Sequence, residues 1–160
     1  MTMSLILERS SQVPFYTDMR LTLQALGITA ARFDWFVSDI ESSVGEGFPD
    51  EDAWFEGEEL QRLLDSQEIQ FVWAVFSAVP RGYRCNVKTA PYVEGYPDYW
   101  KLAQPKPQLP GALFEVACWD SSATIFVGLP EALSASLISA LPDAEPLVNA
   151  HARRRQSAAG

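Results

Sequence analysis

The order of hydrophobic and polar residues near the N-terminus predicts a strand, a helix and a second strand. Residues 3–8 form a short apolar run that suits a strand. In residues 14–27 the apolar side chains recur at helical spacing, with Pro14 suited to the first turn and Gly27 placed to end the helix. Apolar and polar residues then alternate from residue 33 to about residue 40, as expected of a half-buried strand.

Two further elements follow an acidic loop. Residues 58–67 place leucines on one side of a short amphipathic helix, whose first turn holds Glu58 and Glu59 near the positive end of the helix dipole. Residues 69–79 are apolar on both faces and rich in aromatic and β-branched side chains. That composition predicts a central strand covered on both sides.

Prolines dominate the next stretch, residues 80–111. Proline has no N–H group to donate to a sheet, so we expect mostly loop here, with at most an edge strand near residues 85–88. Loops of this length in compact domains are often functional or mobile. The stretch is therefore a candidate for function as well as a connection.

The C-terminal part predicts a hairpin and one more helix. Residues 113–118 and 123–127 flank a turn of Asp and Ser and form the predicted hairpin. A helix then opens at residues 128–130 and stops at Pro142. Its inward-facing residues are predicted to be Leu133, Leu137, Ile138 and Leu141. Residues 149–160 are predicted to be a disordered tail.

These elements together predict an α+β fold. Their order fits a mainly antiparallel sheet with about three helices packed on one face. The length of 160 residues and the hydrophobic content of 48% suit a single domain, which we place at residues 1–148. The first residues lack a signal-peptide pattern, and no apolar run reaches the roughly 20 residues of a membrane helix. We therefore expect a cytoplasmic protein.

Negative charge is concentrated in one segment. Ten of the 21 acidic residues, and none of the 12 basic ones, lie between Phe33 and Gln61, in a chain whose formal net charge is −9. Crowded like charges cost stability, so the cluster indicates a role other than folding. A surface of this sign repels the phosphates of nucleic acid and favours a basic protein as partner.

The acidic segment also carries aromatic residues, which often anchor charged interfaces. The predicted partner-binding residues in it are Asp39, Glu41, Glu46, Asp50, Glu51, Asp52, Trp54, Phe55 and Glu56. A second interpretation stays open, in which the segment is a solvated acidic loop that only keeps the protein soluble.

A second candidate surface lies in the proline- and tyrosine-rich loop, residues 91–110. Tyr96 and Trp100, together with Tyr92 and Tyr99, offer rigid aromatic area that suits contact with a protein or a sugar. The alternative is that these rings cover the edge of the sheet as a small satellite core. A functional loop would make the protein a general interaction adaptor or a ligand-binding module.

The residue types give little support for catalysis. The single histidine, His151, lies in the predicted tail, so no Ser or Cys nucleophile has an evident base. A pair of catalytic carboxylates needs no sequence motif, but the acids here belong to one stretch that is expected to be too flexible for efficient chemistry. We expect no enzyme activity and no cofactor.

Metal binding has no matching ligand pattern either. An EF-hand loop that began at Asp50 would need an oxygen ligand at its fifth position and glycine at its sixth, where Trp54 and Phe55 are found. Cys85 and Cys118 are too few for a zinc site. Free thiols are the expectation for a reducing cytoplasm, and a disulfide between the two is the alternative.

Three stretches resemble small acidic immunity proteins of bacterial polymorphic or contact-dependent toxin systems. They are residues 33–41 (FDWFVSDIE), the end of the long apolar strand at residues 77–80 (SAVP), and residues 115–122 (EVACWDSS). The resemblance implies a cytoplasmic protein that binds and neutralises a cognate toxin domain, without a cofactor or catalysis. It implies no role for any particular residue.

Overall fold

A computed structural model describes residues 1–159, which fold around one β-sheet. The strands are β1 (Thr2–Leu7), β2 (Asp34–Ser42), β3 (Ala53–Phe55), β4 (Phe71–Val79), β5 (Phe114–Trp119), β6 (Ala123–Pro130) and β7 (Glu145–Pro146). The α-helices are α1 (Met19–Leu26), α2 (Gly57–Ser66), α3 (Asp98–Lys101), α4 (Glu131–Ala140) and α5 (Leu147–Ala159).

The strand order in the sheet is β3-β2-β4-β5-β6-β1-β7, and every neighbouring pair is antiparallel. The predicted α+β class with a mainly antiparallel sheet is confirmed. The predicted helix number is wrong, because the described residues form five α-helices where about three were expected.

β4 is the central strand that its apolar sequence predicted. It pairs with β2 on one side and with β5 on the other, and residues 74–79 are all buried. Val75 belongs to the core on one face of the sheet and Phe76 to the core on the opposite face. Both faces of the sheet therefore need a covering layer.

Helices α1, α2 and α4 cover the first face. Leu23 of α1, Leu60 of α2 and Leu137 of α4 are buried there with strand residues such as Phe76 and Phe114. The three leucines come from the apolar stripes that predicted these helices. The main core of the protein therefore lies between this helical layer and the sheet.

Local capping sets the ends of α1. The Asp18 side chain accepts a hydrogen bond from the N–H of Leu21 (3.1 Å), which stabilises the first turn. The predicted start at Pro14 is wrong, because the capping residue comes later in the chain. Gly27 follows the helix as predicted, in a left-handed conformation (φ 76°) that a residue without a Cβ adopts readily.

The second face of the sheet is covered by the long connection, residues 80–113, and by α5. Val75 and Ile125 of the sheet are buried there with Tyr99 of α3 and Leu147 of α5. The expectation of helices on one face only is therefore wrong. Because the connection has little regular structure, its position depends on hydrogen bonds that its backbone N–H groups donate to side chains of the sheet.

The prediction of a disordered tail is wrong for the residues that the structure describes. Helix α5 spans Leu147–Ala159, and both Ala150 and His151 in it are buried. The Nε2 atom of His151 lies 2.7 Å from the carbonyl oxygen of Tyr99. Gly160, the last residue of the predicted tail, lies outside the described residues.

Charged partners hold α5 against the rest of the chain. Arg153 forms salt bridges with Glu8 beside β1 and with Glu145 of β7. The guanidinium of Arg154 lies 3.7 Å from the centre of the Trp100 ring. The helix was missed because these tertiary contacts, rather than a strong apolar stripe, keep a polar sequence in place.

Smaller differences between the predicted elements and the structure have geometric causes. The edge strands β3 and β7 contain three and two residues, too few for alternation to be recognised. Residues 85–88, the candidate edge strand, contain no strand in the structure. Ile138 is 38% exposed although it was predicted to face inward, because it follows the buried Leu137 directly and so points to a different side of α4.

Helix α2 is packed closely at its first residue. Gly57 lies against the short 3-10 helix Ala30–Arg32, and a Cβ atom at position 57 would overlap the carbonyl oxygens of Phe33 and Ala30. The N–H of Gly57 donates a hydrogen bond to the Asp34 carboxylate (3.1 Å). This close approach fixes α2 against the start of β2.

We predict that Gly57→Ala destabilises the protein by about 3 kcal/mol, because the overlap involves backbone atoms that cannot easily move aside. Gly45→Ala is the control. No atom lies within 4 Å of a Cβ there, so only the strain of its positive φ (53°) remains, about 1 kcal/mol. Urea unfolding measures both costs, and equal destabilisation by the two variants would contradict the packing argument.

Candidate protein-docking surface

The acidic segment forms a hairpin at one edge of the sheet. β2 pairs with β3 so that Trp35 lies opposite Phe55 and Val37 lies opposite Ala53, and residues 43–52 connect the two strands. β3 is the outermost strand, and α2 begins two residues after it. The acids are therefore distributed over one hairpin and the helix that follows it.

Seven of the ten acids of this segment are exposed. They are Glu41, Glu46, Asp50, Glu51, Asp52, Glu56 and Glu59, which we call the acidic hairpin surface. Asp34 is buried, whereas Asp39 and Glu58 are half-buried. Of the predicted acidic partner-binding residues, only Asp39 falls outside the exposed set.

No acid of the acidic hairpin surface forms a salt bridge among the described residues. The salt bridges that this segment forms there are Asp34 with Arg84 (2.9 Å) and Glu58 with Arg81, and neither includes an exposed acid of the surface. The seven carboxylates therefore create a local excess of negative charge.

Hydrogen bonds hold the connection between β2 and β3 in place. The N–H of Ser43 donates to the carbonyl oxygen of Gln70 (2.9 Å), and the side-chain amide of Gln67 donates to the carbonyl oxygen of Gly47 (2.6 Å). Phe48, in the same connection, is buried in the main core. The exposed acids are thus carried by a folded frame rather than by an unattached loop.

Asp34 is a structural anchor. Its carboxylate accepts hydrogen bonds from the N–H of Gly57 (3.1 Å), the N–H of Gly82 (2.9 Å) and the guanidinium of Arg84 (2.9 Å). Burial raises the pKa of Asp34, but these hydrogen bonds and the charge of Arg84 outweigh burial and bring the pKa below its ordinary value. Asp34 therefore joins β2 to α2 and to the connection 80–113.

Asp39 serves the fold as well. It has a left-handed φ (54°) in a bulge of β2. Its Oδ2 atom accepts hydrogen bonds from the N–H groups of Val93 (2.9 Å) and Glu94 (3.2 Å), and its own N–H donates to Asp52 (3.1 Å). The carboxylate that the sequence assigned to a partner is therefore engaged with the connection 80–113.

The two aromatic residues of β3 differ in accessibility. Phe55 is 4% exposed and stacks on Phe48 in the main core, with ring centres 5.7 Å apart. Trp54 is half-buried on the opposite face, 5.0 Å from the Phe36 ring and 5.1 Å from the guanidinium of Arg84. Of the two predicted anchors, Trp54 therefore retains more surface for a partner.

A groove lies between β3 and α2. Its volume is about 580 Å³, with Pro49, Ala53 and Phe55 on the strand side and Leu63 and Ser66 on the helix side. The lining is mainly apolar. Sequence reasoning missed this groove, because β3 was not predicted and because the two walls come from different elements.

Trp100 is a packing residue of the second face. Its ring lies 5.2 Å from that of Trp119 and is covered on the outside by the guanidinium of Arg154. Among the two interpretations of the aromatic loop, the structure supports the satellite core for Trp100. The structure does not bring Trp100 into the acidic hairpin surface.

Tyr96 lies beside a shallow pocket. The pocket has a volume of about 340 Å³ and is also lined by Tyr92, Asp98 and Gln108. The O–H of Tyr96 donates to Asp98 (3.2 Å), and burial, together with the Asp98 charge, raises the pKa of Tyr96 to about 12. Tyr96 therefore stays neutral at physiological pH and places an aromatic ring next to a carboxylate.

Glu115 of β5 is a buried carboxyl group that sequence reasoning missed. It accepts hydrogen bonds from the O–H of Tyr99 (2.6 Å) and the N–H of Gln108 (2.9 Å). Burial raises the pKa of Glu115, and these hydrogen bonds oppose the rise only in part. A single charged residue within an otherwise apolar strand was the signal in the sequence. Its role here is to hold α3 and the end of the connection 80–113 on the sheet.

The part of the chain that the structure describes contains no group of three or more His, Cys, Asp or Glu side chains that could hold a metal ion. Cys85 and Cys118 are free thiols, and burial raises the pKa of Cys118 well above its ordinary value. None of the helices formed by residues 1–159 is long and apolar enough to cross a membrane.

Comparisons with known proteins do not assign the chain to a family. No family model matches it, and neither the curated proteins nor the solved structures contain a match. A functional hypothesis therefore depends on the charge and geometry of the surfaces described above.

We predict that Asp34→Asn destabilises the protein by about 2 kcal/mol at neutral pH, because it removes a buried charge that has three hydrogen-bond donors. The folded-state pKa of Asp34 is below its ordinary value of 3.8, so this stabilisation is present above that pH and is lost as the pH falls through the folded-state pKa. Denaturant unfolding of the unchanged protein and the variant should show that the difference between their unfolding free energies is smaller at acidic pH than at neutral pH. A difference that does not change with pH would contradict this role of Asp34.

Proposed function

We propose that this chain is a non-catalytic immunity protein that binds and neutralises a basic toxin domain in the cytoplasm through the acidic hairpin surface. The observation that carries the proposal is the set of seven exposed acids that form no salt bridge in the described part of the chain. The sequence resemblance supplies the class of partner.

The folded frame of the hairpin favours docking over a purely solubilising role. Solubility requires only dispersed charge, and a flexible loop provides it equally well. Here Phe48 and the hydrogen bonds of Ser43 and Gln67 hold the connection that carries Glu46, Asp50 and their neighbours. Preorganised charges lose little conformational entropy on binding, which suits a tight complex.

The proposed mechanism is electrostatic steering followed by occlusion. Enzymes that act on nucleic acid or other anionic substrates carry basic clefts, and an acidic surface of matching shape is drawn to such a cleft. Once bound, the carboxylates occupy the positions that substrate anions need. The same charge argues against nucleic acid as a direct partner of this chain.

The test pairs this chain with a basic toxin domain encoded by a neighbouring gene, the arrangement that the proposal expects. We predict that the double variant Asp50→Lys, Glu51→Lys lowers the association rate at least about tenfold at low ionic strength, and less in high salt. Asp52 is left unchanged because it accepts a hydrogen bond from the N–H of Asp39. Stopped-flow binding measures the rate, and growth of cells that express the toxin measures protection.

The matched control is Glu131→Lys, Asp143→Lys. It changes the net charge by the same amount at two exposed positions outside the acidic segment. The control should bind and protect nearly as the unchanged protein does. If both double variants lost the same amount of rate, net charge alone would be responsible and the docking surface would be rejected.

A second candidate function follows from the pocket beside Tyr96. Its aromatic ring and the Asp98 carboxylate form a combination that suits a sugar ring, which stacks on aromatic faces and bonds to polar groups. In this reading the chain is a ligand-binding module that uses the loop 91–110.

For this second candidate we predict saturation-transfer NMR signals from a monosaccharide or disaccharide in a panel. Tyr96→Ala should abolish them, whereas Tyr96→Phe should retain most of the signal because it keeps the ring. Trp100 is unsuitable for the test, since its packing against Trp119 makes a folding defect the first consequence of its removal. A panel without any signal would eliminate the sugar-binding module.

A further inference from the structure

The outer side of β3 is an open sheet edge. β3 is the last strand in the sheet order and pairs only with β2 among the described residues. The N–H and C=O groups that point away from β2 therefore have no strand partner in the described part of the chain. Backbone groups of this kind bind readily to another extended segment.

The apolar groove lies next to this open edge. Ala53 and Phe55 of β3 form one wall, and Leu63 and Ser66 of α2 form the other. A strand that paired with β3 would place every second side chain on the α2 side, because strand side chains alternate between faces. The volume of about 580 Å³ is enough for two or three aliphatic side chains.

The charges around β3 determine which kind of extended segment can pair with its open edge. Asp50, Glu51 and Asp52 precede the strand directly and Glu56 follows it, all of them exposed. Two copies of this chain paired edge to edge would bring these acids together, which like-charge repulsion opposes. A strand with cations at both ends instead meets opposite charge at both ends of β3.

Charges inside the groove do not alter this selection. Glu59 and Arg62 of α2, which carry opposite charges, both line the groove. The preference for cations therefore comes from the residues that bracket β3. The preference for apolar side chains comes from Ala53, Phe55 and Leu63.

We infer that the partner binds by β-strand addition to β3. An extended segment with basic residues at both ends and aliphatic residues between them pairs with the open edge and places its aliphatic side chains in the groove between β3 and α2. This inference rests on the proposed function, since it assigns the binding mode of the basic partner at the acidic hairpin surface.

The test uses the peptide acetyl-Lys-Arg-Val-Thr-Val-Lys-Arg-amide, labelled for fluorescence anisotropy. Two further peptides carry N-methyl groups on the backbone of either the odd or the even positions. The N–H groups of a strand point alternately to its two sides, so only one of the two modified peptides loses the groups that face β3. We predict that one binds as the parent peptide does and the other at least about tenfold more weakly.

A protein variant tests the groove. Ser66→Arg at the exposed end of α2 places a long cation in the groove, and we expect it to weaken binding of the parent peptide at least about tenfold. Ser139→Arg, at an exposed position near the end of α4, is the matched control and should bind normally. Hydrogen exchange adds a direct readout, since the outward N–H groups of residues 53–55 should be protected only when the parent peptide is bound.

The outcomes separate the two proposals. If both N-methylated peptides bind as the parent does, the attraction is purely electrostatic and strand addition is overturned, while the acidic hairpin surface is retained. Absence of binding by the parent peptide also overturns strand addition. The proposed function is judged separately, by protection against the toxin and by the lysine variants at Asp50 and Glu51.

Discussion

The rest of the structure depends on the hydrogen bonds that backbone N–H groups of the connection 80–113 donate to carboxylates of the sheet. The central strands are apolar on both faces, so the second face needs a cover, and a segment with little regular structure provides most of it. Backbone N–H groups of such a segment have no strand or helix partner and require other acceptors. Asp34, Asp39 and Glu115 supply them along its length. The N–H groups that they accept belong to Gly82, Val93, Glu94 and Gln108.

Nine of the ten acids of the acidic segment fall into two structural sets, and the tenth, Glu58, pairs with Arg81. Asp34 and Asp39 point inward and organise the fold, whereas the acidic hairpin surface points outward. Asp34 and Glu115, the two most buried of the carboxylates that hold the connection 80–113, differ in the direction of their pKa shifts. Arg84 and two N–H donors hold the pKa of Asp34 down, whereas Glu115 has no cation nearby in its hydrogen-bond network and its pKa is raised. The crowding of acids along the chain therefore includes carboxylates that the fold itself requires.

Sequence patterns predicted the parts of the fold that are long and repetitive. β4 and the β5–β6 hairpin carry apolar runs of many residues, and α2 carries an apolar stripe, so their types followed from periodicity. β3 is too short for such a signal, and α5 depends on Arg153 and Arg154, whose partners are distant in sequence. The exposure of the acids was foreseeable from their charge. The groove and the roles of Asp39 and Glu115 were not, because they exist only once separate elements meet.

The position of β1 in the sheet affects how the chain reaches its native state. β1 lies between β6 and β7, with Thr2 opposite Pro130 and Ile6 opposite Glu145. β1 therefore has no partner for either of its edges until β6, far along the chain, has been synthesised. Contacts between such distant parts of a chain slow folding and leave strand edges exposed in the meantime. Synthesis that stops before residue 123 would leave β1 without either neighbour, so nascent chains of this protein are expected to need protection from aggregation until β6 has been made.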